Sequence, residues 1–265
     1  MTILDEIFAQ KRHEVTKERR LLPDAELENM AAATALPPDF SAALRGKYTM
    51  PNLIAEVKKR SPSKGELCVD FDPLVLAQDY ASNGAAAISV LTDEKYFGGS
   101  LSHLSTISDL DLGKPLLRKD FIFHRYQILQ ARVAGASAVL LIVAMLEPTE
   151  LVELLAVASE LQLAALVEVH TLSELDAAMS AHADIIGINN RDLHTFTTNL
   201  DVTAALRPHV PDEVIMVSES GIHTLKDVHR LEELRVDAML IGEELVSATD
   251  TPARVRQFTQ RNKDE

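Results

Sequence analysis

The sequence predicts an α/β fold, a (β/α)8 TIM barrel with an N-terminal helical extension. Eight short apolar runs recur at intervals of roughly 20–30 residues, and helix-like segments separate them, a spacing typical of βα units. Several runs are almost entirely apolar, as strands buried on both faces are. The length of 265 residues also fits such a barrel. The predicted strands are Leu53–Val57, Ala86–Val90, Pro115–Leu117, Ala138–Val143, Ala164–Val169, Ile185–Ile188, Val214–Val217 and Ala238–Ile241.

The segments between the apolar runs contain signals for helix starts and ends. A proline at the first helical position favours a start, and a glycine just after the last periodic residue favours an end, as at Gly84. The predicted starts are Asp72-Pro73, Glu147-Pro148, Thr171 with Glu174 as a capping box, and Thr251-Pro252.

About fifty residues precede the first strand, more than a barrel needs. Within them, Thr2–Arg20 is helix-like and places Leu4, Ile7, Phe8 and Val15 on one stripe. No Gly/Ser-rich, Pro-rich or low-complexity linker divides the chain, so we expect a single domain, with residues 1–50 as an extension packed on a barrel of residues 51–265. A doubly wound open sheet is the rival fold, but it usually has fewer strands, and the G-x-G-x-x-G fingerprint is absent.

The charge balance excludes several classes of partner. Lys and Arg number 26 against 40 Asp and Glu, giving a net charge of −14. This acidity argues against a nucleic-acid binder and against attachment to an anionic membrane. The longest apolar run, 138–146, is too short to span a bilayer, and the single cysteine, Cys68, excludes an intrachain disulfide. Since the N-terminus lacks a secretory pattern, we expect a cytoplasmic enzyme, monomeric, with a small-molecule substrate.

Polar residues at the strand ends predict a site at the barrel mouth. Catalytic groups of such barrels lie at the carboxyl ends of the strands, and side chains alternate between the inner and outer faces. On the seventh strand we place Ile215 and Val217 outside and Ser218 inside. Two carboxylates and two ammonium groups in one cavity would perturb one another's proton affinity, although a structural ion-pair network is the alternative. The residues predicted to converge are Glu56, Lys58, Lys119, Glu168, Asn189 and Ser220.

A cationic segment predicts an anion-binding site at the same mouth. The segment 58–65 holds four basic residues and no acid, and Arg191 follows the sixth strand. Ser220-Gly221 and Gly242-Glu243 follow the seventh and eighth strands, where such barrels usually bind phosphate. We therefore expect basic charge to gather at the mouth and the acidic excess to lie elsewhere. No H-E-x-x-H or EF-hand pattern occurs, so no metal is expected.

The motifs at these positions resemble those of indole-3-glycerol phosphate synthases. The segment 54–63 is similar to the first-strand signature of that family, 117–122 to the third-strand motif, and 96–100 to the loop after the second strand. The segments 167–170, 187–193 and 218–222 resemble the fifth, sixth and seventh motifs. The resemblance implies a carboxy-lyase of tryptophan biosynthesis without organic cofactor or metal. It would convert 1-(2-carboxyphenylamino)-1-deoxyribulose 5-phosphate to indole-3-glycerol phosphate by ring closure, decarboxylation and dehydration.

The same resemblance implies a role for each site residue. Lys119 would be the general acid of ring closure and Glu168 the acid/base partner of dehydration. Glu56 and Lys58 would position Lys119, bind the carboxylate and assist proton transfer, while Asn189 and Ser220 would hydrogen-bond the substrate. On the phosphate side it implies Arg60, Ser61, Arg191, Gly221, Gly242 and the backbone N–H of Glu243. Around the aromatic ring it implies Pro62, Phe97, Phe121, Leu140 and Leu193.

Three other interpretations of these residues stay open. A Schiff-base aldolase would use Lys119 or Lys58 to attack a sugar-phosphate carbonyl. A sugar-phosphate isomerase would need two acid/base groups on opposite sides of the substrate, and the cationic segment would have no role in its reaction. A barrel retained only for binding would hold phosphate without turnover.

Overall fold

Eight parallel strands form a closed barrel in this computed structural model, which describes residues 3–45, 51–62, 64–68, 70–192, 195 and 197–260. Each barrel strand pairs with the next along the chain, and the eighth pairs with the first, so the sheet has no free edge. The predicted fold class is therefore confirmed, with strand ends within two residues of the predicted ones. The strands are β1 Asn52–Val57, β2 Ala87–Leu91, β3 Leu116–Lys119, β4 Ala138–Ile142, β5 Ala164–Val169, β6 Ile185–Asn189, β7 Ile215–Glu219 and β8 Ala238–Ile241.

Helices precede the barrel and follow its strands. A two-stranded antiparallel ladder, Arg60–Ser61 with Gly65–Glu66, lies just after β1. None of the helices within the described residues is both long and apolar enough to cross a membrane. The helices are α1 Ile3–Leu21, α2 Asp24–Ala33, α3 Phe40–Leu44, α4 Pro73–Ser82, α5 Leu101–Ser108, α6 Arg125–Val133, α7 Pro148–Glu160, α8 Leu172–Ser180, α9 Asp201–Leu206, α10 Leu225–Glu233, α11 Glu243–Val246 and α12 Thr251–Thr259.

The predicted capping signals act at the helix starts with one difference. The Asp72 carboxylate accepts from the first backbone N–H groups of α4, and a complete capping box opens α7. At α8 the hydroxyl of Thr171 accepts from the N–H of Glu174, as predicted. The reciprocal bond of a capping box is not formed, and the carboxylate of Glu174 accepts from the backbone N–H of His170 at 2.7 Å. The capping box is thus half formed. The Glu174 carboxylate instead orients His170, the residue that follows β5.

Side-chain alternation divides the apolar residues into two layers. One lies between the strands and the surrounding helices, and the other fills the barrel, where Phe40 and Leu44 of α3 pack against it. The inward parity predicted for β1, β3, β5 and β6 agrees with the inner layer. That layer contains Ile54, Ala87, Leu117, Ala138, Leu140, Ile142, Leu166, Ile185, Ile215, Val217, Ala238 and Leu240.

The predicted parity of β7 is wrong. Ile215 and Val217 lie in the inner layer, and the hydroxyl of Ser218 faces outward, within 2.9 Å of both Asn190 Nδ2 and Thr203 Oγ1. Because β7 is apolar at both parities, hydrophobicity alone does not identify its inner face. The buried outer polar pocket that accommodates Ser218 is formed by residues distant in sequence. The consequence is that Glu219 points into the barrel.

The N-terminal extension packs on the outside of the barrel through α6. Val15, Leu27 and Ala31 form a small core with Tyr126 and Leu129 of α6. The Tyr126 hydroxyl also donates to the carbonyl of Leu22 at 3.0 Å. Burial of these apolar side chains fixes the extension against one barrel helix.

A buried lysine ties α1 to the ends of two strands. The ammonium of Lys11 lies 2.9 Å from Asp120 Oδ1 and 3.1 Å from Asp93 Oδ2. Burial alone lowers the pKa of a lysine, but these carboxylates raise the pKa of Lys11 above its ordinary value. Burial likewise opposes ionisation of Asp120, yet Arg118 and Lys11 lower its pKa to about 2. Since Asp120 directly follows Lys119, this ion pair connects the extension to the barrel mouth.

We predict that Lys11→Met lowers the free energy of unfolding by about 3 kcal/mol, because it leaves buried carboxylates without one of their cations. Urea denaturation measures this change. Lys17→Met is the matched control, since Lys17 is exposed on the same helix. Equal stability of the two variants would contradict a structural role for the Lys11 ion pairs.

Candidate active site

A cavity at the carboxyl ends of the strands brings most of the predicted site residues together. It is also lined by Ile7 of α1 and by Glu219 of β7, neither of which was predicted as a site residue. The predicted residues in its lining are Glu56, Lys58, Ser61, Pro62, Phe97, Lys119, Phe121, Leu140, Glu168, Asn189, Arg191, Ser220, Gly221, Gly242 and Glu243.

Lys119 lies at the centre of the charged groups. Its ammonium at the end of β3 is 3.6 Å from Glu168 Oε2 on β5 and 3.3 Å from Glu219 Oε2 on β7. Burial disfavours its charge, but Glu219, Glu168 and Glu56 together raise the pKa of Lys119 above its ordinary value. Lys119 therefore faces the cavity as a charged proton donor.

Glu219 is a buried acid that exchanges its proton near neutral pH. Burial raises the pKa of Glu219 to about 7, and the charge of Lys119 only partly opposes this effect. Within the described part of the chain, neither carboxylate oxygen has a hydrogen-bond partner of good geometry. In the β6–β7 ladder Glu219 pairs with Asn189, which places both side chains on the inner face. That register would have identified Glu219, but it is not visible in the local sequence.

Glu56 and Lys58 form a close ion pair beside Lys119. Lys58 Nζ lies 2.7 Å from Glu56 Oε1. Burial favours the neutral acid, but the charges of Lys58 and Lys119 prevail and lower the pKa of Glu56. Glu56 is therefore an ionised carboxylate that holds Lys58 in place and adds negative charge near Lys119.

Two glycines make room for the carboxylates. A Cβ atom on Gly187 of β6 would lie 2.2 Å from Glu219 Oε1, and one on Gly242 would lie 2.5 Å from Glu56 Oε1. Both distances are shorter than real Cβ contacts, so a side chain at either position would have to displace the carboxylate. Glu56 and Glu219 reach their places only because the neighbouring strand ends carry no Cβ.

Phe97, Phe121 and Leu140 contribute to an apolar wall of the cavity. The two rings lie 6.0 Å apart between centroids and are tilted by 41°. Asp93 accepts hydrogen bonds from the N–H groups of Tyr96 and Phe97, which fixes the loop that carries Phe97. This wall suits a flat aromatic group.

Arg191, Ser61 and the turn after β7 line a polar part of the cavity. Ser220 and Gly221 have positive φ angles of 66° and 76°, so the backbone turns sharply there. The Glu243 carboxylate forms an ion pair with Lys64 from the segment after β1.

One described residue assigned to the site by resemblance, Arg60, does not line the cavity. The guanidinium of Arg60 donates to the backbone carbonyls of Glu94 and Lys95, so it supports the loop between β2 and α5. Leu193 lies outside the described residues.

The expected excess of basic charge at the mouth is wrong for the described cavity. Its lining holds six acidic residues and three basic ones. Partners behind the cavity wall balance part of this charge: Asp120 pairs with Arg118 and Lys11, and Glu244 with Arg254. Among the described residues, no group of three or more His, Cys, Asp or Glu side chains is placed to hold a metal ion.

Comparison with known proteins assigns the chain to a family. A sequence profile described as indole-3-glycerol phosphate synthase matches residues 4–258. The chain therefore belongs to the indole-3-glycerol phosphate synthase family. It is 50% identical over 259 residues to the family member from Dehalococcoides mccartyi (strain CBDB1), covering 97% of this chain and 99% of that one. It is 51% identical over 264 residues to the one from Roseiflexus sp. (strain RS-1), covering 97% and 98%.

Solved structures with low sequence identity share the fold. KGPDC from Streptococcus mutans superposes with a TM-score of 0.62 at 11% identity, covering 79% of this chain and 95% of that one. The 3-hexulose-6-phosphate synthase from Salmonella typhimurium gives a TM-score of 0.61 at 15% identity, covering 79% and 97%. At such identities the similarity supports the barrel fold alone.

We predict that Gly187→Ala lowers kcat by about 100-fold, because the added methyl group displaces the Glu219 carboxylate by about 1 Å. The displaced atom is the end of a flexible side chain, so the melting temperature should change little. Steady-state kinetics and thermal melts measure the two effects.

The matched background is Glu219→Asp, whose shorter side chain leaves space for the methyl group. There, Gly187→Ala should cost much less activity than it does in the unmodified protein. Additive losses in the double variant would show that the methyl group acts elsewhere.

Proposed function

We propose that this chain is a carboxy-lyase that converts 1-(2-carboxyphenylamino)-1-deoxyribulose 5-phosphate to indole-3-glycerol phosphate in tryptophan biosynthesis. The observation that carries this proposal is the ammonium of Lys119 held between Glu168 and Glu219 inside an aromatic-walled cavity. Such an arrangement offers one strong proton donor and two carboxylates to a single reacting centre.

The cavity offers a place for each end of the substrate. Its aromatic ring would lie against Phe97 and Phe121, and its phosphate near Arg191. The substrate carboxylate would approach Lys58, which is already close to Glu56. Binding at both ends would hold the ring carbon next to the ketone carbon.

Lys119 would act first, in ring closure. The ring carbon that bears the carboxylate attacks the ketone carbon, and a carbon–carbon bond forms. The electron pair of the C=O bond moves to oxygen, and Lys119 donates a proton to that oxygen. The carboxylate then leaves as CO₂, and the electrons of its bond restore the aromatic ring.

The carboxylates would act in dehydration. Glu168 removes a proton from the carbon next to nitrogen, while a proton is donated to the hydroxyl group, which leaves as water. Glu219 suits this donation, because a pKa of about 7 keeps part of it protonated at neutral pH. Per turnover, two protons are given to the substrate and one is taken from it.

The state of Lys119 disfavours the Schiff-base alternative. A Schiff base requires an uncharged amine. Burial lowers the pKa of Lys119, but the nearby carboxylates raise it by more, so the amine stays protonated. Borohydride reduction with substrate would trap a lysine adduct in an aldolase and none in the proposed enzyme.

The proposed function also bears on where the chain works and on its oligomeric state. We propose that the chain works in the cytoplasm, because a substrate with a carboxylate and a phosphate crosses membranes poorly. We also propose that it acts as a monomer, since a single copy brings the proton donor, the carboxylates and the apolar wall together in one cavity.

The test of this function is an assay with the purified chain and the carboxyphenylamino substrate. The expected result is a fluorescent indole product together with one equivalent of CO₂. A chain that binds the substrate and forms no product would contradict the proposal and support the binding-only alternative.

We predict that Lys119→Met lowers kcat by at least about 1,000-fold, because it removes the proton donor for ring closure. Circular dichroism should show an intact fold. Lys114→Met is the control, since Lys114 lies two residues before β3, at the end of the strand opposite to Lys119. A near-normal kcat in Lys119→Met would rule out the general-acid role.

We predict that Arg191→Ala mainly raises KM, because contact with phosphate is equally strong in the ground and transition states. Kinetics with a substrate that lacks the phosphate provide the control: the variant and the unmodified protein should then behave alike. A large fall in kcat with unchanged KM would place Arg191 in the chemical steps.

A further inference from the structure

The imidazole of His170 lies directly behind the site with 11% of its side chain exposed, and the proposed reaction does not yet use it. Its ring nitrogen Nε2 lies 3.5 Å from Glu168 Oε1. The other oxygen of that carboxylate faces Lys119. Within the described residues, Nε2 is buried and has no hydrogen-bond partner.

Glu174 at the start of α8 fixes the orientation of this ring. Its Oε2 accepts from the backbone N–H of His170 at 2.7 Å and lies 3.2 Å from ring Nδ1. Burial would raise the pKa of Glu174, but the hydrogen bonds from His170 lower it, so Glu174 is an ionised acceptor. Nδ1 therefore carries a proton, and Nε2 is directed at Glu168.

These groups form a line from the surface to the reacting centre. The exposed fraction of the side chain is 21% at Glu174, 11% at His170 and 4% at Glu168. Lys119 follows at the inner end of the line. Each neighbouring pair lies within 3.6 Å, a distance that small side-chain movements close for proton transfer.

The chemistry of the proposed reaction requires such a route. Two protons are donated per turnover, and Glu168 gains one from the substrate. If Glu168 returns its proton to Lys119, one further proton must enter from solvent, which matches the loss of a carboxylate as neutral CO₂. Bound substrate would cover the open side of the cavity while this proton is needed.

We propose that His170 is a positioning residue that acts through Glu168 and passes it the proton taken up from solvent in each turnover. The protonated ring gives its Nε2 proton to Glu168, which passes it by way of Lys119 to Glu219, the acid that lost a proton in dehydration. Nδ1 keeps the proton that Glu174 accepts, and Nε2 regains a proton from solvent before the next turnover. Only N–H and O–H bonds form and break, so no other reactant is needed. This inference rests on the proposed function.

The surroundings of His170 favour its protonated form. It is faced by Glu168 on β5, Glu174 on α8 and Glu219 on β7, all of which are acids. Burial lowers the pKa of a histidine, but these acids raise the pKa of His170 above its ordinary value. As the pH rises through this raised pKa, the imidazolium is lost and proton supply slows.

His170→Asn tests the inference, because asparagine can hydrogen-bond with Glu174 and cannot carry a proton onward. We expect kcat to fall by at least about tenfold and KM to stay within about twofold. Loss of the Glu219 proton also lowers kcat as the pH rises, so the alkaline decline due to Glu219 should remain and the additional decline due to His170 should disappear. His103→Asn is the control, since His103 is a half-buried histidine on α5 outside the cavity lining.

A rescue experiment separates proton transfer from packing. In His170→Ala, added imidazole should restore kcat, and substituted imidazoles should do so in the order of their pKa values. Pyrazole, which has the same shape and hardly binds protons at neutral pH, should not. Equal rescue by pyrazole, or an unchanged kcat and pH profile in His170→Asn, would overturn the inference.

The unmodified protein distinguishes this failure from failure of the proposed function. If it forms indole product and the His170 variants keep its pH profile, only the proton route is wrong. If it forms no product, the proposed function itself is wrong.

Discussion

The buried charge of Lys119 is the interaction on which the site depends. An ammonium group at a partly dry barrel mouth is stable only when carboxylates lie within ion-pair distance. Glu168 and Glu219 supply them from β5 and β7. Because these strands are not adjacent, the closed barrel is what holds the groups together. Gly187, on the strand between them, leaves the space that Glu219 occupies.

The N-terminal extension supports the same centre from the outside. Asp120 follows Lys119 in the chain and is held by Lys11, Arg118 and Thr92. The end of β3 is therefore fixed on one side by the carboxylates of the cavity and on the other by α1. Ile7 of the same helix lines the cavity. The extension is thus part of the wall of the site as well as an addition to the barrel.

The local sequence predicted site residues correctly on strands whose polar residues all fall on one of the two alternating faces. The ends of β1, β5 and β6 alternate clearly, so Glu56, Glu168 and Asn189 could be placed from the sequence. β7 is apolar at both parities, and the contacts that turn Ser218 outward come from distant residues. For this reason Glu219 was missed.

Contacts between distant segments account for the other differences. Arg60 lies in a basic run, but it binds carbonyls of a loop more than thirty residues away. The ion pairs of Lys11 with Asp93 and Asp120 join segments with no shared motif. Such pairings depend on how the barrel closes, and no local periodicity encodes them.

The chain is acidic and its proposed substrate carries two anionic groups. Ion pairs between lysines and carboxylates in the cavity explain how such a chain can bind such a substrate. Acidic residues outnumber basic ones in the described cavity lining, so a net basic mouth does not attract the substrate. Lys119 is instead held charged by carboxylates, and Lys58 forms an ion pair with Glu56, so substrate groups must compete with these carboxylates for the lysines. Protonation of Glu219, whose pKa is about 7, removes one repulsive charge as the substrate enters. In the proposed reaction, burial of this one acid would therefore serve both substrate binding and the supply of a proton for dehydration.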